Sequence, residues 1–546
     1  MKNFKQVLIL VGLSYLFFML GNSIINLTNP DEVFYTLTAK EMIQQKTWMT
    51  PYLFGQPQFE KPIMTYWFLR LGFDMFGVTN FGARFFPSLF AIIGVLAVYW
   101  LSLSAYKENK KAFICALVLM SSGLYVGLGR TVFTDMIFTV FILLSLASFY
   151  WGYINPARKN PAIILFYIFS ALAVLTKGPL GLLIPFLIVL MFLGIKKDLK
   201  FIFCGSSIWG LLLFSLIALP WYMLMISKYK DGFIREFFYN DHIRRVLEAE
   251  HKRNDNWYFY PLSAVFCMFP WSVFVSASLF WLPKWLKDRK TQPVYLFLFC
   301  WVAVVFVVFQ SAHSKLVSYI FPMFPALAML AGDLIYNAVN SNKRKIFILS
   351  LASWCIFALL PIGVIICSNI YSMYVPSKSL VYNFLYIYMI LLMVMLLFIL
   401  KKKILANLCI MATLVPFCLF YALAIEKSYD AFVSSKEVGE YLMKNHKVEN
   451  AIICSKIIAR GVRFYTDKDV AVFDLGGAKF FSPHPIPGLD SYPKIDDFLN
   501  KQPVAYGVLK KSGLADLRQY VAARKIKLTV LKVVGNESVV LIQPGS

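Results

Sequence analysis

The sequence predicts an α-helical polytopic membrane protein with about thirteen transmembrane helices and a small exported α/β domain at the C-terminal end. Hydrophobic residues make up 59% of the 546 residues and charged residues only 15%, whereas soluble domains carry about 45–50% apolar and about 25% charged residues. Long apolar stretches recur up to residue 425, and the chain is polar from there on. This composition excludes a soluble enzyme and a disordered chain, and the nine sparse cysteines predict no disulfide framework.

Thirteen apolar stretches meet or approach the length of about 20 residues that a helix needs to cross a bilayer core. In chain order they are 7–27, 82–104, 112–129, 135–153, 161–175, 180–195, 201–226, 261–282, 294–310, 317–338, 346–368, 380–400 and 404–425. The segment 161–195 is too long for one helix, and Lys177-Gly178-Pro179 interrupts it, so we interpret it as two short passes. The first stretch lacks a small-residue cleavage site, and we expect it to be a retained anchor.

The distribution of charge between the spans predicts their orientation. Twenty Lys or Arg and only three acidic residues lie in seven short connectors, which are 1–6, 105–112, 154–161, 195–201, 283–292, 339–345 and 401–403. The positive-inside rule places these connectors in the cytoplasm. The long connectors 28–80 and 227–260 together hold eleven basic and eleven acidic residues, and we expect them outside. Anionic lipid headgroups account for the net charge of +25, so no nucleic-acid partner is needed.

The polar tail predicts a second domain, which divides the chain into a membrane domain, 1–425, and an exported domain, 426–546. Ser434-Ser435-Lys436-Glu437 is typical of a capping box and predicts a helix through Lys447. Five short apolar runs predict strands at 451–454, 470–473, 504–508, 528–534 and 539–542. We expect a helix near 516–524 and a four-residue hairpin loop at 535–538.

The first outer connector, 28–80, begins with Asp31-Glu32. The residues 33–45 and 64–76 have apolar positions at helical spacing, which predicts two amphipathic helices in the plane of the interface. Between them lies Phe59-Glu60-Lys61-Pro62. Such helices around a charged turn would form the rim of a cavity at the membrane surface.

The second outer connector, 227–260, concentrates ionisable groups. It contains Asp241-His242-Ile243-Arg244-Arg245 and then His251, with acidic residues between them. Histidine near carboxylates is the composition of an acid/base or metal site. By contrast, charged residues inside the predicted spans are confined to Arg84, Asp135 and Asp333, each near a span end.

Several motifs in order resemble a known family. They are Asp31-Glu32, Phe59-Glu60-Lys61-Pro62, Arg130 followed by Asp135, Leu175-Thr176-Lys177-Gly178-Pro179, the 241–251 segment, Phe269-Pro270-Trp271-Ser272 and Ser314-Lys315-Leu316-Val317-Ser318-Tyr319. Over about residues 28–325 the chain resembles bacterial integral-membrane glycosyltransferases of the protein mannosyltransferase and lipid A aminoarabinose transferase type. The resemblance implies a GT-C type fold, a polyprenyl (undecaprenyl) phosphate sugar donor and an active site at the outer face of the inner membrane.

The resemblance also implies roles for single residues. The groups that would hold the donor phosphate are Lys61, Arg245 (with Arg244 as a register alternative) and Tyr319. Asp31 and Asp135 match the family's acidic pair near the reaction centre. Further substrate contacts could come from Glu32, Lys177 and Lys315. A divalent metal, Zn or Mg, would be held by Glu60 with His242 or His251.

The chemistry expected of such a site starts with the leaving group. Transfer from a prenyl phosphate passes through an oxocarbenium-like centre, so stabilisation of the departing phosphate is the main electrostatic task. Asp31 is the candidate base if the acceptor is a hydroxyl. If the acceptor is a lipid A phosphate, it is already ionised, and Asp31 would orient the sugar or the acceptor.

Two functional hypotheses of different classes follow. The first is an enzyme that transfers a sugar to an outer-leaflet acceptor, with lipid A as first choice and a protein hydroxyl as second. The second is a lipid or solute transporter, which usually places ionisable groups or broken helices near the membrane midplane and would have a hydrophilic path through the spans. The sequence of the spans indicates no such path, which favours the enzyme. Simpler interpretations of the same residues also exist: Asp31 as a helix cap, Lys61 as a headgroup contact, and Asp135 as a partner of Arg130.

Overall fold

The computed structural model describes residues 2–250, 252–287, 293–341, 343–370, 377–476, 486–502, 504–524 and 526–544. The helices are α1 (Lys2–Ser14), α2 (Asp31–Gln44), α3 (Met64–Phe76), α4 (Asn80–Tyr106), α5 (Asn109–Met120), α6 (Gly123–Gly129), α7 (Thr134–Ile154), α8 (Lys159–Lys177), α9 (Leu180–Lys196), α10 (Gly205–Phe233), α11 (Arg244–Leu247), α12 (Phe259–Cys267), α13 (Ser272–Leu286), α14 (Pro293–Gln310), α15 (Phe324–Ser341), α16 (Lys343–Ile370), α17 (Lys378–Leu400), α18 (Ile404–Ala424), α19 (Glu426–Val433), α20 (Lys436–Asn445), α21 (Ala459–Thr466), α22 (Tyr492–Lys501) and α23 (Lys511–Ala522). The strands are β1 (Tyr52–Leu53), β2 (Gln56–Pro57), β3 (Ile452–Ser455), β4 (Val470–Phe473), β5 (Gly488–Leu489), β6 (Ala505–Lys510), β7 (Ile526–Val534) and β8 (Glu537–Pro544).

The predicted polytopic helical fold is confirmed. In the described part of the chain, nine helices are long and apolar enough to cross a membrane, and α5 with α6 forms one further span bent by 67°. Two of the predicted spans are shorter apolar helices, Asn3–Met19 and Leu180–Lys196. The predicted span 261–282 is the broken pair α12 and α13. Each predicted span therefore contains helix, although several are bent or short.

Breaks in the helices lie where the sequence predicts them or where the backbone changes its hydrogen-bonding pattern. Helix α8 ends at Lys177, Gly178 has a φ of +79°, and α9 begins at Leu180, as Gly-Pro after Lys177 predicts. Helix α10 continues through a π-helical segment, Ile234–Ile243, into α11. A 3₁₀ segment, Val317–Met323, precedes α15. These irregular ends present side chains that a regular helix would place elsewhere.

The first outer connector folds as α2, the β1–β2 hairpin and α3. Both predicted helices are present, but α2 differs from an interfacial helix because ten of its fourteen residues, on all of its faces, are buried. It packs against α3 on one side and α21 of the exported domain on the other. The exported domain therefore covers the face of α2 that the sequence suggested would contact solvent or headgroups.

A six-stranded mixed sheet lies in the exported domain, in the order β5-β4-β3-β6-β8-β7. Strands β3, β4, β5 and β6 pair in parallel, and β8 is antiparallel to β6 and β7. All five predicted strands are present, and the mixed α/β prediction is confirmed. Helices α21 and α22 and the short strand β5 were not predicted.

One local prediction in the exported domain is wrong, and another is confirmed in part. The β7–β8 turn contains two residues rather than four, because Val534 pairs with Glu537 and Gly535 adopts a φ of +57°, the left-handed conformation that a tight hairpin requires. The predicted helix begins at Lys436, whose amide donates to the Ser434 hydroxyl at 3.4 Å, but the Ser435 side chain makes no capping hydrogen bond to α20. Its hydroxyl instead donates to Glu537 at 3.2 Å and accepts from Asn29 at 2.8 Å.

Candidate functional site

Two cations and one carboxylate from different outer connectors meet at the centre of the site. The Lys61 Nζ donates to Asp241 Oδ2 at 2.7 Å, and the Arg245 Nε lies 3.0 Å from Asp241 Oδ1. Arg245 also contacts Glu250 at 3.2 Å. All three central side chains are largely buried. A single buried carboxylate, that of Asp241, thus bridges the two cations, and Glu250 adds a second, less buried carboxylate at the edge of the cluster.

Local folding explains why these groups meet. Lys61 lies in the turn between β2 and α3, and Phe59 holds that turn against α10 through ring contacts with Tyr229 and Phe233 at centroid distances of 4.9 and 5.3 Å. Asp241 and Arg245 are four residues apart, so one helical turn places them on the same side. Burial lowers the pKa of Lys61, while Asp241 opposes that effect and Arg245 adds to it.

The network of contacts extends from Arg245 to Tyr319, Lys177 and Asp135. The Arg245 guanidinium donates to the Tyr319 hydroxyl at 2.9 Å. The Lys177 ammonium lies 4.7 Å from the centre of the Tyr319 ring and donates to Asp135 Oδ1 at 2.6 Å. A continuous chain of contacts therefore joins Lys61 to Asp135 through side chains from five segments of the sequence.

Asp31 is exposed at the first residue of α2, close to Asp135. Tyr35 follows Asp31 by one helical turn, and its ring contacts that of Phe133, two residues before Asp135, at 6.2 Å. Burial raises the pKa of Tyr35 well above its usual range, and the charges of Tyr66, Asp135 and Asp31 raise it further. The two acidic residues that the resemblance pairs therefore flank the same buried hydroxyl.

The structure corrects the prediction that Glu32 contacts substrate. The Glu32 side chain is fully buried, and Arg84 Nε and Nη2 donate to its two oxygens at 2.8 and 2.7 Å. Thr28 and the Val132 backbone amide also donate to it. Because protein groups already occupy the carboxylate, Glu32 stabilises the turn that precedes α2 rather than meeting a ligand.

Two further predicted ligand contacts and one predicted ion pair also need correction. Arg244 pairs with Glu248 on the exposed side of α11, so the register alternative to Arg245 is not the one that faces Tyr319. The buried Lys315 ammonium donates to Asp255 at 2.8 Å and so ties two outer segments together. Lys177 stays within the network, where it binds Asp135. The predicted alternative pair of Asp135 and Arg130 is wrong, because Arg130 donates to the carbonyls of residues 17 and 20.

The predicted metal ligands do not form a metal centre within the described residues. No group of three or more His, Cys, Asp or Glu side chains in that part of the chain could hold a metal ion. The His242 Nδ1 is hydrogen-bonded to the Phe237 carbonyl at 2.7 Å. Its Nε2 lies so close to Gly178 that a Cβ added to this glycine would be 2.5 Å from the nitrogen. His251 lies outside the described residues. The metal site therefore stays a prediction.

The sequence predicts no separate role for Asp241 or Arg84. Asp241 is one residue of the 241–251 motif, yet in the structure it joins Lys61 and Arg245 across 180 residues of sequence. Arg84 is one of the three charged residues near span ends. The i to i+4 spacing of Asp241 and Arg245 was the one available signal, because the partner from the other connector cannot be deduced from local spacing.

Comparison with known proteins identifies a family over part of the chain. The sequence model of the family described as dolichyl-phosphate-mannose-protein mannosyltransferase matches residues 3–230. An undecaprenyl phosphate-alpha-4-amino-4-deoxy-L-arabinose arabinosyl transferase from Edwardsiella ictaluri is 30% identical over 324 residues, which are 59% of this chain and 57% of that protein. The corresponding Aeromonas salmonicida protein is 29% identical over 336 residues, covering 61% and 60% of the two chains. The chain thus spans less than two thirds of these relatives' length.

Solved structures share the fold over almost the whole chain. ArnT from Cupriavidus metallidurans, in a crystal structure with bound undecaprenyl phosphate, matches with a TM-score of 0.79 at 18% identity, covering 98% of this chain and 97% of that one. The Archaeoglobus fulgidus oligosaccharyltransferase matches with a TM-score of 0.54 at 13% identity, covering 93% and 69%. At these identities the likeness establishes the fold.

Proposed function

Because the chain belongs to the family of membrane glycosyltransferases that includes the protein mannosyltransferases and ArnT, we propose that it transfers a sugar from undecaprenyl phosphate to an outer-leaflet acceptor. The donor sugar is 4-amino-4-deoxy-L-arabinose, the sugar in the names of the curated relatives, and the acceptor is lipid A. The chain is a multi-pass protein of the bacterial inner membrane. The active site faces outward, where the connectors 28–80 and 227–260 meet.

The observation that carries this proposal is the convergence of Lys61 and Arg245 on the single buried carboxylate of Asp241. A prenyl phosphate needs cationic partners, and guanidinium offers paired donors while ammonium offers a compact charge. The Tyr319 hydroxyl, already hydrogen-bonded to Arg245, adds a neutral donor beside them. Asp241 holds both cations in place, and the donor phosphate would join them at the partly exposed edge of the cluster, where Glu250 also contacts Arg245.

The reaction breaks the bond between the anomeric carbon and the phosphate oxygen, and the electron pair stays on that oxygen. Undecaprenyl phosphate leaves as an anion, while an oxygen of the acceptor forms the new bond to the anomeric carbon. Lys61, Arg245 and Tyr319 stabilise the charge that develops on the leaving phosphate, which is the largest electrostatic change along this path. Asp135, linked to that set through Lys177, borders the sugar side.

Asp31 acts on the other side of the anomeric carbon. An ionised lipid A phosphate has no proton to lose, so with this acceptor the exposed Asp31 carboxylate binds the sugar or its amino group rather than acting as a base. A hydroxyl acceptor would have to lose a proton, and Asp31 would then accept it. The role of Asp31 therefore depends on the acceptor.

Transfer by the purified protein tests the proposal. The protein in lipid nanodiscs is mixed with radiolabelled undecaprenyl phosphate aminoarabinose and lipid A, and the label recovered in lipid A is measured over time. We expect transfer that disappears in the Asp31→Asn variant while folding is retained. Wild-type protein that moves no label to lipid A would remove this proposal, and label recovered in protein would favour the hydroxyl acceptor instead.

A further inference from the structure

The exported domain holds the segment that leads into Asp31. We define the Asp31 turn as residues 22–31, between the first span and the start of α2. The Asn29 amide donates to the Val433 carbonyl at 2.8 Å, and the Asn29 side-chain amide donates to the Ser435 hydroxyl at 2.8 Å. Val433 and Ser435 lie at the end of α19, the short helix that follows the last span. The chain therefore returns to the Asp31 turn after more than 400 residues.

A second set of contacts fixes the middle of the same turn. Asp430 of α19 accepts from the Asn26 backbone amide at 3.0 Å and from its side-chain amide at 2.6 Å. On the opposite side, Arg84 donates to the carbonyls of Asn26 and Asn22 at 3.1 and 3.0 Å. The turn is therefore held between a helix of the membrane domain and a helix of the exported domain.

Helix α2 is held by the exported domain as well. Lys40 pairs with Asp467 at 2.8 Å, and Glu41 pairs with Arg463 at 3.3 Å. The tip of the β1–β2 hairpin adds an apolar contact, because Phe54 packs against the hydrophobic cluster between the sheet and α20 and α21. The connector that contributes Asp31 and Lys61 is thus attached to the exported domain along its length.

The tightest approach lies between Asn29 and α21. A Cβ added to Gly461 would lie 2.2 Å from the Asn29 Oδ1, a separation that real Cβ atoms do not have. Gly461 lies inside α21 and is buried, so the absence of a side chain allows the helix to pass directly over Asn29. Pro30 has a restricted φ, so a displacement of Asn29 is transmitted to Asp31 with little freedom to absorb it.

We propose that the exported domain positions Asp31, and that Asp430, Ser435 and Gly461 are positioning residues for the transfer reaction. The domain acts through the Asp31 turn. This inference rests on the proposed function only in its use of Asp31 as a site residue. The contacts themselves predict a mechanical link that can be measured without any reaction.

The test uses Gly461→Ala in the full-length protein. Alanine favours the helix more than glycine does, so α21 should stay folded while its new methyl group displaces the Asn29 side chain, whose amide then loses its hydrogen bond to Ser435. We expect faster amide hydrogen exchange in residues 26–32 and a kcat reduced about tenfold or more. Gly363→Ala, in an open position of α16, is the matched control and should behave as wild type.

A double-mutant cycle separates positioning from general damage. Asn29→Ala removes the atom with which the new methyl group collides, so adding Gly461→Ala to that variant should reduce kcat little further. Asp430→Ala should also raise exchange in residues 26–32. Unchanged exchange and kcat in Gly461→Ala would overturn the inference, as would additive losses in the cycle or a loss confined to the acceptor KM. If wild-type protein transferred no sugar, the proposed function would fail, and the exchange rates would still decide whether the link exists.

Discussion

Two buried ion clusters of the molecule differ in how completely they are closed to a ligand. Arg84 and Glu32 form a one-to-one pair, only 4% and 0% exposed, and the carboxylate also accepts from two further protein groups. In the second cluster Lys61 and Arg245, which are 13% and 17% exposed, share Asp241, and Arg245 also contacts Glu250. The first pair satisfies its own groups within the protein, whereas a ligand can still reach the cations of the second.

This difference separates a structural role from a binding role. A buried pair with all its hydrogen bonds made gains nothing from a ligand, and breaking it leaves an uncompensated charge. Cations that are only partly buried can accept a further anion such as a phosphate. Both clusters pair basic with acidic side chains, so access for a ligand, rather than composition, distinguishes them.

The largest expected effect comes from breaking the matched pair. Arg84→Ala leaves the fully buried Glu32 carboxylate without its cation and releases three backbone carbonyls that Arg84 binds. We expect a loss of about 3–5 kcal/mol in the free energy of unfolding, seen as a lower unfolding temperature and yield in detergent. An Arg84→Ala protein as stable as wild type would show that the pair is dispensable.

The adjacent acidic residues Asp31 and Glu32 should respond in opposite ways. Asp31→Asn should lower transfer to lipid A by at least about tenfold, because the neutral amide loses a charge-assisted contact with the sugar. With a hydroxyl acceptor, for which Asp31 acts as a base, the loss should be about 10²–10⁴-fold. The unfolding temperature should change little because Asp31 is exposed. Glu32→Gln should mainly lower stability. Transfer rates measured at equal amounts of folded protein, alongside thermal unfolding, check both expectations. Normal transfer by Asp31→Asn would remove that residue from the mechanism.

Breaking the cluster around Asp241 should affect donor use more than folding. Lys61→Ala and Arg245→Ala each remove charge-assisted hydrogen bonds worth about 1.5–3 kcal/mol, so the donor KM should rise about tenfold to a hundredfold. Steady-state kinetics with varied donor and saturating acceptor measures this change. A donor KM that stays at the wild-type value in Lys61→Ala would exclude Lys61 from the phosphate site.

The pH dependence of donor binding should report Lys61 directly. Burial lowers the pKa of Lys61, so its ammonium loses the proton at a lower pH than an ordinary lysine does. Because only the charged form attracts phosphate, donor affinity should fall as the pH rises through that lowered pKa. Lys61→Arg keeps its charge at these pH values and should bind the donor with affinity that changes less. Identical alkaline profiles for the two proteins would contradict this assignment.

The smallest effect on donor use is expected from substitution of Arg244. Arg244 pairs with Glu248 near the surface, and exposed pairs of this kind contribute about 0–1 kcal/mol. Arg244→Ala should therefore change the donor KM by less than about twofold. A loss as large as that of Arg245→Ala would mean that the register of the two arginines is not the one described.

Much of the fold follows from local sequence. The length of the apolar stretches, together with the Lys and Arg residues that separate them, predicted where the helices lie. The break at Lys177-Gly178-Pro179 occurs where proline and glycine predict it. Strands β3 to β8, apart from β5, follow from short apolar runs. The burial of α2 could not be predicted, because it depends on α21, which is more than 400 residues away in the sequence.

The candidate site was predictable only in part. The motifs indicated Lys61, Arg245 and Tyr319, and the structure brings them together. The same motifs could not separate Glu32 from Asp31 or Arg244 from Arg245, because adjacent residues point in different directions on a helix. Nor could they identify Asp241 as the shared partner, since its contact with Lys61 depends on how the two outer connectors pack.

Binding of undecaprenyl phosphate without any sugar is the most direct test of the central claim that Lys61 and Arg245 hold the carrier phosphate. Its affinity is compared with that of undecaprenol, the neutral alcohol, for wild-type protein and for the Lys61→Ala/Arg245→Ala variant in nanodiscs. Wild-type protein should prefer the phosphate by at least about a hundredfold, as two charge-assisted contacts predict, and the variant should lose most of that preference. Equal binding of phosphate and alcohol by the wild type, or an undiminished preference in the variant, would contradict the claim.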